Sequence, residues 1–394
     1  MLIRLAIESD LPSWIELATE VSPIFQHPAD MGTDPEFIAY IKSKTDKNEA
    51  LTAVDDITGD NIGFIGLSKT NNRISWFSVF EKYRCKGAGN QLLKSALEQL
   101  DHSKPITVDT YIEGYVPGIP AKNLYRKFGF VETNSNVVNP HNIPNCRMTL
   151  MKKPEMIIFD YGHTLLYEPD SNYLRGEEAL FKYIKSNKNN LTPREVNDFV
   201  QELYAEIAIF RKMGMEIHQR QFFRLAYEFL EIELTISLEE MERVFWDNIS
   251  AQAMMPDADK MIDYINANGI RSGVISNIGF SGDGLTERIN RLLPRNKFEF
   301  IIASSEYMLR KPHRMLFELA LKKAGLSASD VWFCGDTVKA DIEGSHAVGM
   351  FPVWYENKII DDPWIGKNDG TIPQFPHLHI NEWSEFIAIL ERLK

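Results

Sequence analysis

The chain of 394 residues is 44% hydrophobic and 25% charged, an ordinary globular composition, and its length suggests two or three domains. It has no apolar run of roughly 18 residues or more, and Met1-Leu2-Ile3-Arg4 offers neither a basic n-region nor a small-residue cleavage site. A membrane span and secretion are therefore not expected, and the protein reads as soluble and cytoplasmic. Residues 1–153 carry a charge of −1 and the remainder −11, so the acidic second part should not bind nucleic acid, and three widely spaced cysteines exclude a disulfide framework or a zinc-ligand spacing.

In chain order, strand-like segments at Leu2–Ile7, Ala50–Val54, Gly63–Ser68, Ile74–Phe80 and Ile106–Tyr111 interleave with helical patterns, predicting an α/β domain. After the fourth of these comes Arg84-Cys85-Lys86-Gly87-Ala88-Gly89-Asn90, followed by a helix with Leu93, Ala96, Leu97 and Leu100 on one face. A strand, a glycine turn and a helix N-terminus aim backbone N–H groups and the positive end of the helix dipole into one concavity. The glycines let phosphate oxygens reach the main chain. An anionic diphosphate is the natural ligand, with Arg84 and Lys86 adding charge.

Further on, Leu124-Tyr125-Arg126-Lys127-Phe128-Gly129-Phe130-Val131 closes a helix with glycine and enters a strand. Together with Arg84-x-x-Gly87-x-Gly89 it resembles the GNAT family of acetyl-CoA-dependent acyltransferases, over roughly residues 1–152. The resemblance implies a mixed sheet with helices, acetyl-CoA as cosubstrate and a small-molecule amine as acceptor. It implies that the turn from Arg84 to Asn90 holds the CoA pyrophosphate and that the backbone near Val79 pairs with the pantetheine arm. Tyr125 matches the tyrosine that protonates the departing thiolate. No single general base stands out: Glu81, Asp109, Glu113 and His27 all qualify on spacing or region, and Ser22–Gly32 is assigned by analogy to the acceptor side.

Lys152-Lys153-Pro154-Glu155 is the clearest boundary, predicting domains at 1–153 and 154–394. Beyond it, strand signals at Met156–Phe159, Ser272–Ser276, Phe298–Ala303, Val331–Gly335 and Phe351–Trp354 alternate with helices, the rhythm of a doubly wound parallel sheet. Between the first two lies a long, mostly helical stretch, with Val196, Phe199, Val200, Leu203, Ile207 and Phe210 on one face. It is read as a cap, 170–254, inserted into a core of 154–169 and 255–394. Asn357–Pro376 is expected to be a surface loop, and a final helix to start at Glu382.

Asp160 ends the apolar run Met156–Phe159, where an open parallel sheet places ligands. Phe159-Asp160-Tyr161-Gly162-His163-Thr164-Leu165, Val274-Ile275-Ser276-Asn277, Arg310-Lys311-Pro312 and Cys334-Gly335-Asp336-x-x-x-x-Asp341 together resemble the haloacid dehalogenase (HAD) superfamily over about residues 155–356. The resemblance implies a Rossmann-like parallel sheet with a helical cap, and a small phosphorylated substrate. In this reading Asp160 attacks phosphorus to form an aspartyl-phosphate, Ser276 donates to a phosphoryl oxygen, and Lys311 orients Asp160. Mg2+ is held by Asp160, Asp336 and the Gly162 carbonyl, with Asp341 steadying its waters.

Gly162 stands where phosphatases of this type carry a second carboxylate, so no side chain there can protonate an alkoxide leaving group. Good leaving groups, as in acyl or aryl phosphates, are expected to suffer least, with His163 a substitute if its ring turns inward. The alternatives are a non-catalytic module that binds a phosphorylated ligand or mediates dimerisation, a dehalogenase, or glyceryl transfer linked to an acyl-carrier protein.

Overall fold

The computed structural model describes residues 1–139, 141–357, 368 and 370–393, so the predicted loop over Asn357–Pro376 lies largely outside the described residues. The chain forms two compact units, Met1–Lys153 together with residues 391–393, and Pro154–Leu390, so the second ends short of the expected 154–394. Among the described residues, no helix is long and apolar enough to cross a membrane.

The first unit runs β1 (Leu2–Leu5), α1 (Leu11–Val21), α2 (Pro35–Asp46), β2 (Ala50–Val54), β3 (Asn61–Ser68), β4 (Arg73–Val79), α3 (Ala88–Leu97), β5 (Thr107–Tyr111), α4 (Ile119–Lys127), β6 (Phe130–Val138) and β7 (Pro144–Leu150). Its sheet has the order β1-β2-β3-β4-β5-β7-β6. Helices cover both faces: Trp14, Leu17, Phe64 and Trp76 pack on one side, and Leu92, Leu93, Tyr125 and Met148 on the other. Central strand β3 is accordingly apolar almost throughout, as a strand buried on both faces must be. β4 and β5 are parallel and pair only at Arg73–Thr107 and Ile74–Val108, whereas the other pairings in this sheet are antiparallel. Past Ile74 the two strands share no ladder, which opens a gap in the middle of the sheet.

The second unit begins with β8 (Met156–Phe159) and β9 (Leu166–Tyr167), then α5 (Tyr173–Leu180), β10 (Ile184–Asn187), α6 (Pro193–Lys212), α7 (Gln219–Phe229), β11 (Ile232–Leu234), α8 (Leu238–Ile249) and β12 (Ala253–Met254). It continues with α9 (Ala258–Ala267), β13 (Arg271–Ser276), α10 (Gly282–Leu292), β14 (Ile301–Ala303), α11 (Arg314–Ala324), β15 (Val331–Gly335), α12 (Gly344–Ala347), β16 (Phe351–Tyr355), β17 (Leu378–Ile380) and α13 (Trp383–Arg392). Six strands form a parallel sheet in the order β14-β13-β8-β15-β16-β17.

Short ribbon β9–β12, with Met254 opposite Leu166, is the neck through which the chain leaves the core and returns. Between its two strands lie α5 to α8 and the hairpin β10–β11. α6 starts at a capping box, in which the Thr192 hydroxyl accepts from Glu195 N and Glu195 Oε2 accepts from Thr192 N, with Pro193 in the first turn. Its apolar face is only partly covered: Val196 and Val200 are buried and Phe199 stacks on Phe229 at 5.3 Å, but Phe210 is exposed.

Two sequence expectations need correction. β14 spans three residues, not Phe298–Ala303; the residues before it hold no strand, although Glu299 N donates to Ser272 O at 2.9 Å and Val274 N to Phe300 O at 3.0 Å. β17 adds a sixth strand, too short to give a periodic signal.

Candidate functional site

In the second unit, three central strands end side by side. Phe159 is in register with Val274 of β13 and Cys334 of β15, and Asp160 N donates to Cys334 O at 2.8 Å. Asp160, Ser276 and Asp336 therefore emerge together at the carboxyl edge of the sheet, as the strand-end motifs anticipated. Asp341 arrives on a π-helical turn, Val338–Glu343, in which Thr337 N donates to its Oδ2 at 3.0 Å. Gly335 makes this possible: a β-carbon on it would collide with the Asp341 carboxyl. The glycine of Gly-Asp-x-x-x-x-Asp thus has a packing reason.

Lys311 lies at the centre. Its ammonium donates to Asp160 Oδ1 at 2.6 Å and to the Ile275 carbonyl at 2.9 Å. It also sits 2.6 Å from Asp341 Oδ1, though without an aligned hydrogen bond. The loop bearing it is tied to the end of β13 by a reciprocal pair: Lys311 N donates to Asn277 Oδ1 at 2.7 Å, and Asn277 Nδ2 to Lys311 O at 3.0 Å. Burial opposes the charge on Lys311, yet the two carboxylates outweigh it and raise its pKa.

Carboxylate oxygens of Asp160, Asp336 and Asp341 lie within 4.8 Å of one another. Lost hydration, reinforced by the Asp160 and Asp341 charges, pushes the Asp336 carboxyl well above its ordinary range. Burial likewise pushes Asp341 up to about 6, against the pull of Lys311. Three carboxylates against one ammonium leave an excess of negative charge, which a divalent cation on oxygen ligands would offset. The residues present fit Mg2+.

Gly162 forms a single bridge with Leu166, and a β-carbon on it would meet open space. His163, in the left-handed region, has its ring centre 6.5 Å from that of Tyr167. Sequence reasoning missed Arg310. The bridge between Met215 and Leu309 brings the cap segment before α7 beside the loop carrying Lys311. There Arg310 and Arg211 both pair with the buried Glu216, and the Ser304 hydroxyl donates to its Oε2 at 2.8 Å. Burial holds the Arg310 guanidinium below its usual range, and Asp160 is one of the charges that oppose the shift. Adjacency to Lys311 was the available signal.

In the first unit, the gap between β4 and β5 is a cleft of about 480 Å³. At one end lie Val79, Arg84, Cys85, Gly87, Ala88, Gly89 and Asn90. Gly87 caps α3 with φ of 89°, a left-handed conformation that favours glycine, and the amides of the first helical turn have no intrahelical acceptor. Free amides at a helix N-terminus behind a glycine turn are suited to accept an anion.

Three details differ from expectation. Lys86 donates its ammonium to Lys82 O and does not line the cleft. Arg84 Nε donates to the Val79 carbonyl at 3.0 Å, so that carbonyl is already engaged by the protein. Among the base candidates only Asp109 lines the cleft, and it is bound by Arg147 and Arg73. Glu113 pairs with Lys122 and Arg126, while His27 and Glu81 lie outside the lining. Tyr125 does line it, between Phe77 and Phe130, and burial raises its pKa so that it keeps its proton.

Comparison with known proteins gives both units a family. Residues 157–354 match the haloacid dehalogenase-like hydrolases, and residues 35–152 match the acetyltransferase (GNAT) domain. A glyceraldehyde 3-phosphate phosphatase of Methanocaldococcus jannaschii is 31% identical over 143 residues, 35% of this chain and 57% of the relative. A pyrimidine 5′-nucleotidase of Escherichia coli is 33% identical over 135 residues, 34% of this chain and 56% of the relative. The chain thus spans little more than half the length of these curated relatives. A solved HAD phosphatase from Thermococcus onnurineus aligns with a TM-score of 0.42 at 18% identity, covering 62% of this chain and 99% of its own. The chain belongs to the haloacid dehalogenase-like hydrolases, and over residues 35–152 it also carries an acetyltransferase (GNAT) domain.

Proposed function

We propose that the protein is bifunctional, a Mg2+-dependent phosphatase acting through an aspartyl-phosphate and an acetyl-CoA-dependent N-acetyltransferase. The observation that carries the phosphatase half is the set of three carboxylates gathered around Lys311. Relatives named as glyceraldehyde 3-phosphate phosphatases and a pyrimidine 5′-nucleotidase support the same reading over dehalogenation.

In the first step an oxygen of Asp160 bonds to phosphorus as the ester oxygen departs, and water then releases phosphate from Asp160. Lys311 fixes the orientation of Asp160 and offsets charge on the phosphoryl oxygens, with Ser276 as a further donor. Mg2+, held by Asp160, Asp336 and the Gly162 carbonyl with Asp341 steadying its waters, would neutralise the repulsion between carboxylate and phosphate. Because Gly162 supplies no acid, the preferred substrates are acyl and aryl phosphates. Metal-dependent release of phosphate from acetyl phosphate and p-nitrophenyl phosphate tests this. Absence of turnover, with Mg2+ still raising the melting temperature, would favour a ligand-binding module instead.

For the acetyltransferase half, the carrying observation is the glycine cradle at the mouth of the cleft. Backbone amides from Gly87 to Asn90 would bind the CoA pyrophosphate, and Tyr125 would return a proton to the departing sulfur. Titration of the whole protein with acetyl-CoA, read by calorimetry, tests this half.

A further inference from the structure

The far end of the cleft carries information about the acceptor. Its walls are aromatic: Phe25 stacks on Trp76 at 5.7 Å and 14°, and meets Tyr111 edge-on at 6.1 Å. The uncharged polar side chains of the lining include Ser75, Ser78, Thr110, Asn139 and Asn145. Among the described residues lining the cleft there is no histidine and no glutamate, and Asp109 is the one carboxylate. Both of its oxygens are taken, by Arg147 at 2.7 and 2.9 Å and by Arg73 at 2.8 Å. These guanidiniums hold its carboxyl below the usual range despite burial, so it is a poor proton acceptor.

Beyond the faces of its aromatic rings, a cleft built this way has no free carboxylate to bind an ammonium group and no side chain to take its proton. An alkylamine near pH 7 is neutral in only about one molecule in a few thousand, whereas an arylamine is already neutral. Aromatic walls also favour a flat apolar body over a solvated polycation. We propose that the acceptor is a weakly basic primary amine on an aromatic body, an arylamine, seated against Phe25, Trp76 and Tyr111. This rests on the acetyltransferase reading and names its substrate class. The amine nitrogen bonds to the thioester carbonyl carbon as the C–S bond breaks. One N–H proton passes from nitrogen to water and sulfur gains one from the Tyr125 hydroxyl, which water reprotonates, giving the N-acetylarylamine and the free CoA thiol with no net change in protons.

The test uses the full-length protein with acetyl-CoA, reading CoA thiol release with p-anisidine, 2-phenylethylamine, spermidine and a lysine amide, beside calorimetric titration of acetyl-CoA alone. We expect kcat/KM for p-anisidine to exceed that for spermidine and the lysine amide by about tenfold or more. It should stay flat from about pH 6.5 to 8.5, while the rate with 2-phenylethylamine rises with pH. Phe25→Ala should raise KM for p-anisidine about tenfold and leave acetyl-CoA affinity unchanged. Preference for spermidine or the lysine amide would overturn the proposal. So would bound acetyl-CoA with no acetylation of p-anisidine, or an unaltered KM in Phe25→Ala. Failure of acetyl-CoA to bind would instead remove the acetyltransferase reading, and the acceptor class with it.

Discussion

Lys311 Nζ rests 2.6 Å from Asp160 Oδ1 across 151 positions of sequence, and the same ammonium reaches Asp341. One cation thus holds together two carboxylates that would otherwise repel. Lys311→Met should lower phosphatase kcat by at least about 10²-fold. Stability should fall by roughly 3–5 kcal/mol, since it leaves buried carboxylates without their partner. Thermal melts with and without Mg2+ check this: the variant should depend on the metal for stability far more than the unmodified protein does.

Gly162→Asp should be a gain of function. The space around a β-carbon there is open, and Gly162 is not in the left-handed region, so the side chain enters without strain. A carboxyl at this position supplies the missing acid, which is worth about 10²-fold on alkyl phosphates and much less on p-nitrophenyl phosphate. Comparing the two substrates in both proteins decides the matter.

Within the cap, Glu177 is fully buried, accepts from the Tyr227 hydroxyl at 2.5 Å, and leaves Oε1 without a partner among the described residues. Burial raises its pKa from 4.5 to about 7. A carboxyl raised in this way stabilises the fold fully below about pH 4.5, and that contribution is lost as pH rises through about 7. Glu177→Gln should flatten this dependence and raise stability above pH 7 by roughly 3 kcal/mol at most. Denaturant melts across pH 4 to 9 measure it.

At the cradle, Gly87→Glu forces a side chain into a left-handed conformation at roughly 1–2 kcal/mol and places a negative charge where phosphates are expected. Acetyl-CoA binding should disappear by calorimetry. Tyr125→Phe should instead retain binding and slow transfer about tenfold, because a thiolate needs its proton donor only weakly.

Much of this was legible in sequence for a physical reason. A buried parallel strand is a continuous apolar run, so Asp160, Ser276 and Asp336 announce themselves as polar residues ending such runs, and glycine turns mark Arg84–Asn90. What stayed hidden depends on pairings that periodicity does not encode. Arg73 and Arg147 reach Asp109 from neighbouring strands, and only the register of β4, β5 and β7 brings them together. Glu216 meets Arg310 across 94 positions through a cap segment with no repeat. β9, β12 and β17 are two or three residues long and carry no period at all.

Asp160, the proposed nucleophile, should itself carry the phosphoryl group during turnover. Intact-mass spectrometry after acid quench of the protein mixed with acetyl phosphate and Mg2+ would detect it. A species heavier by one phosphoryl group is expected in the unmodified protein, located on Asp160, and none in Asp160→Asn. Turnover of acetyl phosphate by Asp160→Asn, or the same adduct on that variant, would contradict it.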